Sequence, residues 1–277
     1  MLLSVIIPTC NRNEQLAKCL QCLSPGTQQF GENNFEVIVS DDGKNNEAKS
    51  LILEQFPWVQ WVSGPKKGPA ANRNCGAKIA KGKWLVFTDD DCLPDNNWLQ
   101  AYAEAIIQHP ECKAFEGAIL PDDWKLLKKD MAECPVNTSG GCFWSANIMI
   151  KKVLFALLNG FDEQFKIAAQ EDQEIFIRIK EKTKVVFCVG VVVIHPVRFG
   201  GLREKLKVLD ASINSWLLYK SESSTRKIFK EGSLSQIRAS FNNLKQGKFK
   251  SFYLNLATLF RFFIIICRKS INAKVTI

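Results

Sequence analysis

The stretch WLVFTDDDCLP, residues 84–94, decides the reading of the chain. Trp84, Leu85, Val86 and Phe87 form an apolar run of the length of a buried strand. Three carboxylates, Asp89, Asp90 and Asp91, follow at once, so a strand leaving the core delivers concentrated negative charge to one small place.

The pattern repeats outward from this stretch. LLSVIIP reads as a first strand, FEVIVSDDG as a second and VQWVSG as a third, with KWLVFTDDD the fourth. Between them NEQLAKCLQCL places Leu16, Cys19, Leu20 and Leu23 on one helical face, NEAKSLILEQF has a weaker helical pattern, and PAANRNCGAKIAKG opens with Pro69 and closes near Gly82. Strands alternating with crossover helices predict an α/β fold, with a mostly parallel, Rossmann-like sheet flanked by helices. Such strands end on one common edge, where ligands sit. Asp41 and Asp42 end the second strand as Asp89 to Asp91 end the fourth, which places five carboxylates on one rim. Capping and loop solvation explain one such pair, but two clusters on one edge point to a ligand or metal site.

Beyond position 95, NNWLQAYAEAIIQH reads as a helix stopped by Pro110, KAFEGAIL and CFWSANIMI as strands, and KVLFALLNGF as a helix. EDQEIFIRIKEK is a helix with Glu171 and Asp172 in its first turn, and KVVFCVGVVVIHP is a strand ending at His195. Leu202, Leu206, Leu209, Ile213 and Trp216 have helical spacing, so the division expected is 1–200 and a helical extension, 201–277. The whole chain of 277 residues carries a net +9, distributed unevenly: residues 200–277 hold 15 Lys/Arg against Glu204, Asp210, Glu222 and Glu231, whereas the remainder holds 22 basic and 24 acidic residues. A basic excess confined to the tail suggests an attached surface-binding region.

Ten cysteines are scattered, and Cys19 and Cys22 lie within a helical pattern with no second pair at metal-ligand spacing. With no secretory leader apparent in MLLSVIIPTC and no run of about 20 apolar residues, a reducing, cytoplasmic setting is expected. An oxygen-rich acidic rim suits a hard cation, Mg²⁺ or Mn²⁺, whose shell is completed by water and phosphate oxygens. Neither G-x-x-x-x-G-K-[ST] nor G-x-G-x-x-G is present, so metal bridging replaces a glycine-rich phosphate cradle.

Taken in order, SVIIPTCNR, VIVSDDG, ANRNCGAKIAKGKWLVFTDDDCLPDNNWL, FWSANIMIKKVLFALLNGFDEQF and QEDQEIFIRI resemble the successive motifs of glycosyltransferase family 2 over roughly residues 1–200. The resemblance implies a GT-A fold, a nucleotide-sugar donor such as a UDP-sugar, a divalent metal, and inversion at the anomeric carbon. It implies that Asp91, with Asp89, meets the metal, and that Asp89 and Asp90 bind ribose, sugar or metal-bound water. Asp41 and Asp42 belong to the nucleotide pocket, flanked by Thr9, Asn11 and Arg12, with Arg73 also against the nucleotide. Asp172 matches the catalytic base, while Glu171, Trp144 and Asn147 lie where acceptor or sugar is contacted. Some relatives carry a metal-binding histidine after a strand like that of His195; a plain buried histidine is the other reading, and His109 reads as surface. Two positions depart from the family pattern: Cys10 stands where many relatives have an aromatic ring to stack on the base, and Lys44 where a serine often follows DDG.

The expected function is transfer of a sugar to a glycan or lipid-linked acceptor, in polysaccharide or cell-envelope synthesis. A sugar nucleotidyltransferase shares the metal logic but opens with a glycine-rich loop, which PTCNR is not. A basic nucleic-acid binder leaves the five rim carboxylates unexplained, and no nucleic-acid partner is expected. Residues 250–269 hold a mainly apolar run, Phe252 to Cys267, with Lys245, Lys248 and Lys250 before it and Arg268 and Lys269 after. That pattern suits a helix lying in the interface of an anionic membrane, on its cytoplasmic face; a core or dimer helix is the alternative.

Overall fold

The computed structural model describes residues 2–44, 47–168, 170–201, 203, 205–207, 245–257 and 259–260. The expected helical positions Leu202, Leu209, Ile213 and Trp216, and the tail from Arg261 to Lys269, lie outside the described residues.

Four parallel strands form the first half of an eight-stranded sheet: β1 (Leu3–Thr9), β2 (Phe35–Asp41), β3 (Gln60–Ser63) and β4 (Trp84–Phe87). β5 (Leu93–Pro94), β6 (Ala114–Pro121), β8 (Ile148–Lys151) and β9 (Val185–His195) complete it in the order β3-β2-β1-β4-β8-β6-β9-β5. β8 runs antiparallel between β4 and β6, and β9 is parallel to β6. β1 and β2 are buried along their whole length, as strands covered on both faces must be. One core cluster joins α1 (Asn13–Cys22), α2 (Glu47–Gln55) and α4 (Trp98–Gln108) to one face through Leu16, Leu20, Ile52, Trp98 and Tyr102. The other face carries α3 (Pro69–Ile79), α5 (Lys152–Leu157) and α6 (Glu171–Lys180) through Ala70, Ala77, Leu154, Ile175 and Ile179. Gly76 sets the closeness of α3, since a Cβ there would lie 2.7 Å from Cγ2 of Ile6 on β1.

The chain divides into two compact units. The first is residues 1–122 with 134–196, and holds the whole eight-stranded sheet. The second is 123–133 with 197–277. Residues 123–133 were expected in the catalytic domain, and their hydrogen bonds explain the difference. β7 (Ala132–Glu133) pairs with β10 (Arg198–Phe199), Lys205 Nζ meets Glu133 Oε2 at 2.7 Å, and Asp130 accepts bonds from the amides of Lys250 and Ser251. In this unit residues 249–257 are helical, with Phe249, Tyr253, Leu256 and Phe260 exposed at near-helical spacing.

The expected strand CFWSANIMI shortens to Ile148–Lys151. The residues before it serve as a loop because buried acceptors claim their amides: Glu116 on β6 takes the N–H groups of Gly141, Cys142 and Phe143. Asn147, expected at the acceptor, is 1% exposed and is a structural hub. Its Oδ1 accepts from Trp98 Nε1 (2.8 Å) and Tyr102 Oη (2.9 Å), and its Nδ2 donates to the carbonyls of Ala118 (2.8 Å) and Val191 (3.0 Å). Asn147→Leu removes four buried hydrogen bonds and should destabilise the fold by on the order of 2–5 kcal/mol. Urea unfolding checks this; a loss under about 0.5 kcal/mol would contradict the hub.

Candidate active site

Parallel register builds the rim. Thr9 at the end of β1 pairs with Asp41 at the end of β2, and Ile6 pairs with Phe87 at the end of β4, so the acids after β2 and β4 meet on one edge. Asp41 is 2% exposed; its Oδ1 accepts the Gly43 amide at 2.7 Å, and Trp61 Nε1 approaches its Oδ2 at 3.4 Å. Asp42 turns to the chain itself, accepting from the amides of Lys66 (2.8 Å) and Gly68 (3.3 Å). It therefore pins the loop before α3 rather than presenting a carboxylate to a base. That loop also meets the segment before α6: Gly68 has φ +101°, and a Cβ there would lie 2.2 Å from the carbonyl oxygen of Lys166. Asn11 is exposed at the rim with φ 54°, beside the exposed Cys10.

The three aspartates after β4 have different surroundings. Asp90 is buried, with its oxygens meeting Thr9 Oγ1 and Arg12 Nη1, both at 2.8 Å. The side chains of Thr9 and Asp90, expected on the nucleotide, thus brace the rim from within. Arg12, half-buried, also pairs with Asp91. Asp89 is the more open of the three and pairs with Arg73 Nη2 at 2.7 Å. Arg73 was expected against the nucleotide, but it is 3% exposed and its second arm meets Glu171 Oε1 at 2.9 Å. Burial by itself would lower its pKa, but Asp89 and Glu171 outweigh that and hold the guanidinium charged.

His195, at the end of β9, comes back to this edge: its Nε2 is 3.6 Å from Asp91 Oδ1. Its Nδ1 lies 2.9 Å from the Pro196 carbonyl, which assigns the proton to Nδ1 and turns the Nε2 lone pair toward Asp91. Burial lowers its pKa and favours the neutral ring. Carboxylate and neutral imidazole with facing lone pairs are a donor set that Mn²⁺ accepts. Cys92 completes a group whose ligand atoms all lie within 4.8 Å, but burial keeps its thiol protonated and weak as a ligand. The residues present therefore fit a divalent cation at Asp91 and His195.

The other side of the site is formed by α6. Gln170, with φ 79°, breaks the chain into the helix and sets Glu171 and Asp172 in its first turn. Asp172, Asp89, Arg73 and Trp144 line one cavity of about 250 Å³. Asp172 accepts the amides of Gln173 (2.7 Å) and Ser145 (3.4 Å). Burial first, and the Glu171 charge second, push its pKa up to about 7 against the opposing pull of Arg73. Glu171 is 3% exposed, is held by Arg73 and contributes to the wall of the same cavity. Trp61 and Glu116 were not singled out in sequence. The signal for Glu116 was present, as a lone acid in the apolar run KAFEGAIL.

Residues 4–133 match the family model described as Glycosyl transferase family 2. Over 93 residues, 32% of this chain, the sequence is 39% identical to an uncharacterized glycosyltransferase of Haemophilus influenzae, and the match takes in 29% of that protein's length. The fold is similar to that of S. aureus TarS 1–349 in complex with UDP, with a TM-score of 0.58 and 21% identity, covering 88% of this chain and 71% of that one. It is also similar to the mannosyltransferase PcManGT of Pyrobaculum calidifontis in complex with GDP-Man and Mn²⁺, with a TM-score of 0.59 and 16% identity, covering 98% and 80%. The architecture is thus the GT-A fold. The match to glycosyltransferase family 2 spans the part of the chain that supplies β1 to β4 and the five acids after β2 and β4.

A raised carboxylate pKa has a definite sign in stability. Between the unfolded value near 3.8 and the folded value near 7, the folded state binds more protons than the unfolded one, so this group's contribution falls as pH rises through that window. Asp172→Asn should therefore be more stable than the parent at pH 8, with the gain fading toward pH 4. Thermal melts across that range decide it, and an equal difference at both ends would contradict the assigned shift.

Proposed function

We propose that the protein is a metal-dependent, inverting glycosyltransferase that moves a sugar from a nucleoside diphosphate donor to a hydroxyl of a glycan or lipid-linked acceptor. The observation that carries this reading is the one cavity lined by Asp172, a carboxylate poised near neutrality, and Asp89 of the donor rim. The UDP and the GDP-Man with Mn²⁺ in the two solved neighbours support a nucleotide-sugar donor.

The residues divide the work. Asp41, buried at the end of β2, offers carboxylate lone pairs to a base N–H. Arg12 supplies positive charge beside the diphosphate, and Asp91 with His195 would hold Mn²⁺ or Mg²⁺. When bound, that ion stabilises negative charge growing on the leaving diphosphate. Asp172 takes the proton from the acceptor hydroxyl as its oxygen attacks the anomeric carbon from the face opposite the diphosphate, which inverts that centre. Its raised pKa makes it a stronger base than an ordinary carboxylate, which suits it to accept the proton. The Trp144 ring lines the same cavity and suits the flat face of a sugar.

Asp172→Asn should lower turnover by on the order of 10²- to 10⁴-fold, with nucleotide affinity nearly unchanged. Asp91→Ala should remove the Mn²⁺ dependence of nucleotide binding. A screen of nucleotide sugars with Mn²⁺ by thermal shift, followed by donor turnover with and without EDTA, tests both. Full turnover in excess EDTA would overturn the metal role, and unchanged turnover in Asp172→Asn the base.

We further propose peripheral attachment to an anionic membrane surface through the second unit. Phe249, Tyr253, Leu256 and Phe260 give its helix an exposed apolar stripe, and Lys245, Lys248 and Lys250 lie beside it. Among the described residues no helix is long and apolar enough to cross a membrane. The intact chain should co-sediment with phosphatidylglycerol vesicles, and Phe249→Ser/Tyr253→Ser should weaken this; parent protein left in the supernatant would refute the attachment.

A further inference from the structure

Arg73 is the one arginine of α3, and its position is unusual for that side chain. It is 3% exposed, its two Nη groups point to carboxylates from different parts of the fold, and its guanidinium carbon lies 5.8 Å from the centre of the Phe161 ring. One carboxylate, Asp89, belongs to the strand end that forms the donor rim. The other, Glu171, is itself 3% exposed and directly precedes the proposed base Asp172 on α6. Both Nη groups of this buried guanidinium are thus committed to carboxylates. What it does hold is the distance and charge balance between the two halves of the site.

We propose that Arg73 is a positioning residue that clamps the donor-rim carboxylate Asp89 to Glu171, and thereby cancels the charge of Glu171 beside the acceptor base Asp172. The proposal rests on the glycosyltransferase reading and adds to it a role for a residue whose two Nη groups are both committed to carboxylates. The fork geometry matters. Two carboxylates from separate elements need two N–H groups in fixed directions, which guanidinium supplies and a single ammonium does not. Removing the clamp leaves Glu171 as an uncompensated buried acid next to a second acid, and such pairs resist double ionisation.

The charged and titratable groups around Asp172 make the expected direction definite. Glu171 and the desolvating wall oppose its ionisation, while Arg73 and the amides of Gln173 and Ser145 favour it. Asp89 shares the cavity, and Cys142 stands near enough for Asp172 to help raise its thiol. Loss of Arg73 should therefore push Asp172 toward the protonated form, loss of the Glu171 charge should pull it back, and the two changes together should largely cancel.

The test begins without any donor. In protein labelled with ¹³C at aspartate carboxyls, with Asp172→Asn to assign the signal, the Asp172 midpoint is titrated in the parent and in Arg73→Met, Arg73→Lys, Glu171→Gln and Arg73→Met/Glu171→Gln. The expected result is a midpoint raised by about 1 unit or more in Arg73→Met and lowered in Glu171→Gln, with the double variant near the parent. Arg73→Lys should fall between parent and Arg73→Met; together with Glu171→Gln it decides the matter if Arg73→Met does not fold. Turnover is then followed as hydrolysis of whichever nucleotide sugar most stabilises the parent with Mn²⁺. Arg73→Lys should lose about tenfold or more at pH 7, with the acid limb of its rate profile displaced to match the titration and nucleotide affinity within about threefold. Unmoved midpoints in Arg73→Lys and Glu171→Gln would overturn the clamp. So would a loss of nucleotide affinity equal to the loss of turnover on an unshifted pH profile, which would make Arg73 a nucleotide contact. If the midpoints move as expected but the parent turns over no nucleotide sugar, the clamp stands and the transferase reading fails; the reverse outcome removes only the clamp.

Discussion

Seven carboxylates gather at one edge of this sheet: Asp41, Asp42, Asp89, Asp90, Asp91, Glu171 and Asp172. Charge drawn out of water must be answered by opposite charge or by hydrogen-bond donors, or the fold pays several kcal/mol per group. Here two guanidinium groups do most of the answering. Arg12 spans Asp90 and Asp91, and Arg73 spans Asp89 and Glu171. Backbone amides answer others: Gly43 for Asp41, Lys66 and Gly68 for Asp42, and Gln173 and Ser145 for Asp172. The layout of the rim follows from where these donors can reach.

The same device is used away from the rim to hold the cavity wall in place. Glu116, inside β6, collects three consecutive amides of 141–143, and Asn147 spends all its hydrogen-bonding capacity on Trp98, Tyr102, Ala118 and Val191. Between these two anchors runs the loop that carries Trp144 and Ser145 to the cavity. A loop held by buried polar groups costs more to deform than one held by apolar contact alone, because each broken bond strands a desolvated group. The cavity is thus preorganised by residues that do not line it.

The acids after β2 and β4 differ from Asp172 in how they are held. Asp89, Asp90 and Asp91 lie directly against guanidinium groups, and Asp41 and Asp42 against backbone amides. Asp172 receives only two amides and indirect help from Arg73, and it sits where a proton can be taken up and released near pH 7. Environment, rather than residue type, separates them.

Much of this was legible in order and spacing. Apolar runs marked β1, β2 and β4, the last two ending in acids, and the requirement that parallel strands share an edge brought Asp41 and Asp89 to Asp91 together before any coordinates. The motif resemblance led to Asp172. What one-dimensional order does not contain is the direction of each side chain once neighbours compete for it. Thr9 and Asp90 bond to each other, Asp42 turns to the amides before α3, and Asn147 disappears into the core, because the partners that claim them lie up to 81 positions away in sequence. The grouping of 123–133 with the C-terminal unit has the same origin in bonds to Lys205, Lys250 and Ser251. Sequence determined the sheet and the charged edge, since these follow from local periodicity and strand direction. Tertiary structure alone decided which carboxylates face a ligand and which brace the protein, because that choice rests on long-range pairing and on which groups lose their water.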